Sequence, residues 1–379
     1  MHIALITDGI WPYVLGGMQK HSYYLCKYLA QNKVKVDLIH FNDSAYDISK
    51  LEFFSDEEKK YIHSIIVDFP APGKFPGHYL RNSYLHSKLI FNAVKERLPS
   101  YDFIYTKGFT GWHLIQQKKG GKINCAKIGV KFHGHEMFQR APDLKTKLQH
   151  IFLLRKPVKE ISLNADVVFS YGGKITGIIK SLGIEDRKII ELPSGVEASI
   201  IASAISPALP KLKFLFLGRY ERRKGIEELN LALKNISNQN FDFHFIGPIP
   251  FSKQIQRENI KYHGEIRDKE ALNILIRTCD VLVCPSWSEG LPNVILEAMA
   301  NGLCVIASDA GATNVLVNKN NGWLLRDCDP PRIQEAMMDA ITSSQEIINQ
   351  KKQMALNQIR DNFKWEKLIN ELLDKIQAL

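Results

Sequence analysis

From the first residues to the last, short runs rich in β-branched and aromatic residues alternate with longer amphipathic stretches; the alternation breaks once and then restarts. Few folds accommodate that pattern. Strands that alternate with helices form parallel sheets, because a parallel pair needs a long crossover and a helix usually supplies it. In the first half, strands are expected near 2–8, 34–41, 64–69, 103–107, 127–133, 166–171 and 188–192, with amphipathic helices between them, such as 17–31 and 79–97. The stretch 193–212 interrupts the pattern. It opens Pro193-Ser194-Gly195 and closes Ser206-Pro207-Ala208-Leu209-Pro210, the composition of a linker. Strands recur at 213–218, 241–246, 260–263, 281–285, 304–308 and 323–326, and 331–379 reads as helical. The expected fold class is therefore α/β: two Rossmann-like, doubly wound domains facing across a cleft. They would cover 1–195 and 213–362, joined by a linker at 196–212, with a final helix at about 363–379. In open α/β sheets ligands sit beyond the carboxyl ends of the strands, so the residues just after each strand are the candidates for function.

At 379 residues the chain is long for one core and comfortable for two. Its 45% hydrophobic and 24% charged residues are those of an ordinary globular protein. No apolar run reaches the roughly 20 residues that span a bilayer. Met1 to Asp8 has no basic lead and no cleavage site, so it reads as a first strand and not as a signal peptide. The six cysteines include no CxxC pair and read as buried thiols in a reducing, cytoplasmic setting, with neither disulfides nor a zinc site. The net charge of +10 is uneven: residues 1–200 hold 28 basic against 19 acidic side chains, and residues 201–379 hold 22 against 21. A basic half attracts anionic lipid headgroups and phosphorylated ligands, although a plain solvated surface accounts for it equally well. No nucleic-acid recognition motif accompanies the charge, so no nucleic-acid partner is expected.

The strongest local signal is Ser288-Glu289-Gly290-Leu291-Pro292-Asn293-Val294-Ile295-Leu296-Glu297, after the strand 281–285. Pro292 suits the first turn of a helix and Gly302 its stop. The N-terminus of such a helix is an anion site, suited to a diphosphate. Glu289 would precede the helix and Glu297 would lie about five residues into it, roughly 7 Å further along. Two carboxylates so placed reach opposite ends of one elongated ligand, accepting hydrogen bonds from sugar hydroxyls and a ribose diol. The plainer reading, acidic residues complementing a helix dipole, suits Glu289 but not Glu297 among Val294, Ile295 and Leu296.

Gly218-Arg219-Tyr220-Glu221-Arg222-Arg223-Lys224-Gly225 ends the strand 213–218. There Arg219 and Lys224 are candidates to hold two phosphates, one as a planar fork and the other as a point charge. In the first half, Trp11-Pro12-Tyr13-Val14-Leu15-Gly16-Gly17 follows a strand and precedes a helix. Gly16 and Gly17 let the backbone approach a phosphate or sugar closely. Phe132-His133-Gly134-His135-Glu136 follows another strand, and no second ligand cluster supports a metal there. His135 reads as a satisfied structural histidine, and Glu136 as a weaker acceptor contact.

Taken together and in this order, EGLPNVILE, GRYERRKG, the Pro193-Ser194-Gly195-Val196-Glu197 segment and Gly16-Gly17 resemble family 4 of the glycosyltransferases, which have the GT-B fold. The resemblance covers nearly the whole chain. It implies a sugar donor activated by a nucleoside diphosphate, retention of anomeric configuration, and no cofactor or obligatory metal. It implies that Glu297 binds the ribose hydroxyls, that Glu289 contacts the transferred sugar, and that Arg219 and Lys224 neutralise the diphosphate. Gly290, Leu291, Pro292 and Asn293 would complete the donor site. His133 matches the family's active-site histidine beside the donor sugar, and the last helix, including Trp365 and Leu368, would pack back on the first domain.

The expected function is transfer of a hexose-type sugar to a hydroxyl of a glycan, lipid-linked or small-molecule acceptor by front-face attack. In that mechanism the departing phosphate oxygen takes the proton, and the protein supplies positioning and positive charge. A double displacement with Glu289 as nucleophile would need carboxyl groups about 5 Å apart, closer than Glu289 and Glu297 are expected to lie. A sugar-nucleotide epimerase and a non-catalytic sugar-binding relative stand as alternatives. A nicotinamide oxidoreductase lacks support, because the first strand-to-helix turn has no GxGxxG. The stretch Leu144 to Lys159 mixes apolar and basic residues and suits peripheral contact with an anionic membrane, or else an ordinary helix packed on the sheet.

Overall fold

The computed structural model describes residues 1–14, 16–41, 51–71, 77–237 and 240–379. Leu15 of the expected glycine loop lies outside them. Among the described residues, the first half holds β1 (His2–Ile6), β2 (Lys35–His40), β3 (Ile62–Ile66), β4 (Phe103–Lys107), β5 (Lys127–Lys131), β6 (Val167–Ser170) and β7 (Ile189–Glu191). The second half holds β8 (Leu212–Leu217), β9 (Phe241–Ile246), β10 (Ile260–Tyr262), β11 (Val281–Cys284), β12 (Cys304–Ser308) and β13 (Gly322–Leu325). The strands form two sheets, ordered β3-β2-β1-β4-β5-β6-β7 and β10-β9-β8-β11-β12-β13. Every neighbouring pair is parallel. The order reverses between β1 and β4 in one sheet and between β8 and β11 in the other. Those two switch points leave crevices beyond the carboxyl ends of the strands.

The strands are recognisable because helices cover both faces of each sheet and make the runs continuously apolar. Phe214, Phe241, Phe243 and Phe245 are all fully buried, and so are Val305 and Ile306 of β12. The expected strand at 64–69 sits earlier, at Ile62–Ile66, because its register is set by β2: Val36 pairs with Ile62 and His40 with Ile66. The helical stretch 331–379 is three helices, Pro330–Thr342, Gln345–Asn362 and Trp365–Gln377. Ser344 starts the second by accepting a hydrogen bond from the Ile347 N–H. Trp365, Leu368, Ile369, Leu372 and Ile376 of the third share a core with Tyr24, Tyr28 and Leu29 of the helix Gly17–Gln31. The chain thus returns to the first sheet after building the second, and Val196 bridges to Lys364 where it crosses.

The segment after β5 departs from a plain packed helix. It comprises a helix at Leu144–Gln149, a π turn at His150–Leu154 and a helix at Arg155–Asn164. The first two bury no residue, whereas Pro157, Val158 and Ile161 of the third are buried. Leu144, Leu148 and Phe152, spaced four apart, stand out as an exposed apolar ridge; Phe152 is 76% exposed. No helix of the described residues is long and apolar enough to cross a membrane.

Candidate active site in the cleft

The β8–β11 switch point gathers charge. The loop after β8 turns through Arg222–Lys224 and continues at Gly225 (φ 68°), where a Cβ would stand 1.8 Å from the Pro285 carbonyl oxygen. Only glycine fits that contact, so the basic loop lies directly against the segment after β11, and Trp287 N–H donates to Arg223 O at 2.9 Å. There Lys224 Nζ donates to Glu289 Oε1 at 2.7 Å, Ser286 Oγ donates to the same oxygen at 2.7 Å, and Arg223 Nη1 lies 3.6 Å from Glu289 Oε2. Burial alone would push the Glu289 carboxyl up, but Lys224, Arg223 and Ser286 together hold it below its ordinary value. Glu289 is therefore a buried, ionised carboxylate.

The helix expected after Pro292 runs Asn293–Ala300. Leu291 and Pro292 turn their side chains into the core, so any ligand contact from them comes from backbone. Glu297 faces the cleft and forms an ion pair with Lys20 of the first half. Arg219 points away from this cluster: it is 72% exposed and pairs with Glu221 at 2.8 Å. The structure thus brings Lys224, Glu289 and Gly290 together and leaves Arg219 outside. Arg223, which sequence reasoning passed over, is the arginine beside Glu289.

Across the cleft the two halves meet backbone to backbone. A Cβ on Gly290 would fall 1.8 Å from the His133 carbonyl oxygen, and one on Gly17 would fall 3.3 Å from His133 Nε2 and 3.5 Å from Asn293 Nδ2. The glycines at 17 and 290 are what let His133, Asn293 and the Glu289 loop converge. Gln139 clamps the junction, its Nε2 donating to both Gly134 O and Glu289 O at 2.6 Å. His133 shares a 2.8 Å hydrogen bond between Nδ1 and the Tyr171 hydroxyl. Burial, with Lys107 and Lys131 nearby, pushes its pKa down to about 3, so the ring is neutral at physiological pH.

Behind His133 lies a buried cationic layer that the sequence did not announce. Lys107 ends β4 and Lys131 ends β5; each is only 2% exposed. Lys107 Nζ donates to Met18 O and meets His21 Nδ1 at 2.8 Å, while Lys131 Nζ donates to Leu192 O and sits 3.9 Å from the Tyr171 ring centroid. Burial pulls the Lys107 pKa down to about 7 and lowers that of Lys131 as well. A lysine closing an otherwise apolar strand is the one sequence signal that could have found them.

At the β1–β4 switch point a cavity of about 320 Å³ opens beside His133, with Asp8, His135 and Glu136 in its lining. Asp8 Oδ1 is buried without a hydrogen-bond partner among the described residues, and burial pushes the Asp8 pKa up to about 6 against the pull of Lys107. His135 corrects the expectation of a satisfied histidine: it is fully buried, yet neither ring nitrogen has a partner among the described residues. The ring is packed between Phe132 and Phe138 instead. Among the described residues no group of three or more His, Cys, Asp or Glu side chains is placed to share a metal ion. Five of the six cysteines are buried and all six are free.

Two parallel α/β halves meeting at a buried carboxylate and a basic loop form a GT-B-like fold. The family described as "Glycosyl transferases group 1" matches residues 211–343, within the second half. The chain is similar to an uncharacterized glycosyltransferase of Methanocaldococcus jannaschii, with 23% identity over 97% of this chain and 96% of that one. It is also similar to the Escherichia coli UDP-Gal:α-D-GlcNAc-diphosphoundecaprenol α-1,3-galactosyltransferase, with 26% identity over 52% of this chain and 56% of that one. Among solved structures, sucrose-phosphate synthase from Thermosynechococcus elongatus superposes with a TM-score of 0.75 at 19% identity, covering 100% of this chain and 98% of that one, a likeness of fold.

Proposed function

We propose that the protein is a retaining hexosyltransferase that moves a sugar from a nucleoside diphosphate sugar to an acceptor hydroxyl by front-face transfer. The observation that carries this reading is the buried Glu289 carboxylate, held ionised by Lys224 and Arg223 directly opposite a neutral His133. Glu289 accepts hydrogen bonds from hydroxyls of the transferred sugar. Lys224, with Arg223 on the same loop, neutralises the charge that develops on the leaving diphosphate. Glu297 exchanges Lys20 for the ribose diol. His133, neutral and fixed by Tyr171, hydrogen-bonds to the donor sugar without adding a charge that would compete with the phosphate. The departing phosphate oxygen takes the acceptor's proton, so no protein nucleophile is required.

On the acceptor side, a basic cleft of about 800 Å³ with Arg140, Lys147, Arg155, Lys174 and Arg326 adjoins the exposed ridge of Leu144, Leu148 and Phe152. That pairing suits an acceptor carried on a lipid phosphate at an anionic, cytoplasmic membrane face. Co-sedimentation with anionic vesicles checks it: Phe152→Glu should weaken binding, and equal binding by the variant would remove the ridge from the account.

The anomeric outcome tests the transfer itself. With a matched donor and acceptor, NMR of the product should show the donor's anomeric configuration. An inverted product would contradict front-face transfer, and a new nucleotide sugar formed without acceptor would make the protein an epimerase.

A further inference from the structure

We infer that Lys131 is a positioning residue for the transfer: seated on the ring of Tyr171, it keeps the Tyr171 hydroxyl a donor to His133 Nδ1 and so leaves the His133 proton on Nε2, the nitrogen that faces the cleft. This rests on the transferase reading above and adds to it the residue that sets what His133 offers the sugar.

The strand ends place the three groups. Lys131 is the last residue of β5, Tyr171 follows the last residue of β6, and Leu192 follows the last residue of β7. The parallel register sets Lys131 opposite Phe169 and Ser170 opposite Glu191, so the three line up beyond the carboxyl ends of adjacent strands. There the Lys131 ammonium donates to the Leu192 carbonyl and lies 3.9 Å from the centroid of the Tyr171 ring. Lysine is almost never fully buried without a paired anion, yet Lys131 makes no ion pair among the described residues. An aromatic face and a carbonyl take the place of the missing carboxylate. Burial lowers the Lys131 pKa, with the Lys107 charge adding to it, whereas the ring face and the carbonyl both favour the ammonium. The far end of the ring shows what so costly a placement achieves.

The Tyr171 ring is wedged between the halves. A Cβ on Gly290 would stand 3.1 Å from Tyr171 Cε2, and the Tyr171 hydroxyl lies 2.8 Å from His133 Nδ1. His133 is neutral, its pKa pushed down to about 3, so its ring holds one proton for two nitrogens. Which nitrogen holds it is set by the hydrogen bond that the other makes. Were the hydroxyl to accept from Nδ1, the cleft would meet a bare Nε2. Burial raises the Tyr171 pKa and keeps the phenol protonated. A cation on the ring face draws electron density from the phenol oxygen, which makes the hydroxyl a better donor and a poorer acceptor. Nδ1 therefore accepts, and the proton sits on Nε2, which lies 3.3 Å from where a Cβ on Gly17 would stand. The two walls of the cleft then offer opposite roles to the sugar hydroxyls, a donor at His133 and an acceptor at Glu289.

The test reads the tautomer and the turnover together. Long-range ¹H–¹⁵N NMR of histidine-labelled protein, with His133 assigned from His133→Gln, should find the wild-type proton on Nε2 without ligand. Lys131→Met keeps the length of the side chain and removes its charge; it should move part of the population to the Nδ1–H form. With whichever UDP-, GDP- or ADP-hexose wild type turns over, that variant should lower kcat about 3- to 10-fold, the scale of one neutral hydrogen bond. Its affinity for the nucleoside diphosphate, read by calorimetry, should stay that of wild type. Lys131→Gln serves with the same expected outcomes where Lys131→Met does not fold. Tyr171→Phe should lower kcat at least as much, and the double variant should fall no further, because Lys131 acts through the hydroxyl. A residue that only packs would lower the unfolding midpoint and leave the tautomer unchanged. The assignment is overturned if wild type carries the proton on Nδ1, if the Lys131 variants keep both Nε2–H and the wild-type kcat, or if the two single losses multiply in the double variant. If wild type turns over no nucleotide sugar, the transferase reading fails, and the role of Lys131 in transfer fails with it even where the proton is found on Nε2.

Discussion

On the side of the cleft built from β8 and β11, the buried carboxylate is fully partnered: Glu289 holds Lys224, Ser286 and Arg223 at 2.7, 2.7 and 3.6 Å. On the side built from β1 and β4, the buried carboxylate oxygen Asp8 Oδ1 has no partner among the described residues, and two buried lysines make no ion pair among them. Both sites lie at a topological switch point, yet the polar groups of one are paired within the protein and those of the other are not. The difference teaches what each side is for. A donor site must hold a preorganised field ready for a dianion whose charge is the same in every cycle. The other side presents a neutral His133 to the cleft, and its unpaired groups are a standing cost in stability.

Three changes would break or sharpen this contrast. The largest effect should come from Glu289→Gln, which keeps the shape but removes the charge that Lys224 and Arg223 were arranged around. We expect kcat/KM to fall by about 10²–10³, with a loss of about 1 kcal/mol in urea denaturation from the part-buried Lys224 left without its partner. Near-normal rates would mean that the paired cluster is structural only.

Asp8→Asn should behave in the opposite way for stability. Its folded pKa of about 6 lies above the ordinary carboxyl value of 3.8, so folding favours the protonated form. Above pH 6 the folded protein bears the cost of a buried, ionised carboxylate; that cost fades as pH falls and is gone below the unfolded value. Lys107, the nearest cation, reduces the cost, and Tyr79 faces the same carboxylate. The variant should therefore be more stable than wild type at pH 8, by at most about 3 kcal/mol because the side chain keeps partial exposure, and equal to it at pH 3. Denaturant midpoints at the two pH values check this; a variant less stable at pH 8 would show that Asp8 is a paired structural acid.

The smallest effect belongs to Lys20→Ala. Lys20 and Glu297 form a part-exposed pair across the halves, and such pairs contribute about 0.2–1 kcal/mol. If Glu297 must release Lys20 to take a ribose, the variant should bind nucleoside diphosphate about 2- to 5-fold more tightly by calorimetry. Weaker binding would mean that Lys20 itself contacts the ligand.

Much of this architecture was legible in the sequence, for a physical reason. Parallel strands buried on both faces are continuous apolar runs, and that is why the limits expected for β4, β9 and β12 are those observed. The glutamate pair and the basic loop were legible because glycine and proline fix where a helix and its preceding turn begin. Less could be read where burial, not pattern, decides. Lys107 and Lys131 look like ordinary strand-end lysines until Met18, His21, Tyr171 and Leu192 of the same half pack around them. Which cation of Arg219, Arg222, Arg223 and Lys224 turns inward depends on one short 3-10 turn, and spacing alone cannot choose among them. The exposed ridge at Leu144 to Phe152 reads from sequence as a helix that could equally be buried, and only the packing of the following turn leaves it outside.

The central claim, a nucleoside diphosphate site spanning Lys224, Glu289 and Glu297, is tested most directly by thermal unfolding against a panel of nucleoside diphosphates and their sugars, with chelator and with added magnesium. A ligand at about 100 times its dissociation constant adds roughly 2.7 kcal/mol of stability, a visible rise in midpoint. We predict a rise selective for one base, unchanged by metal, and abolished in Glu297→Ala and Lys224→Ala. A folded wild-type protein whose midpoint moves with none of them would contradict the donor site, and with it the transferase mechanism.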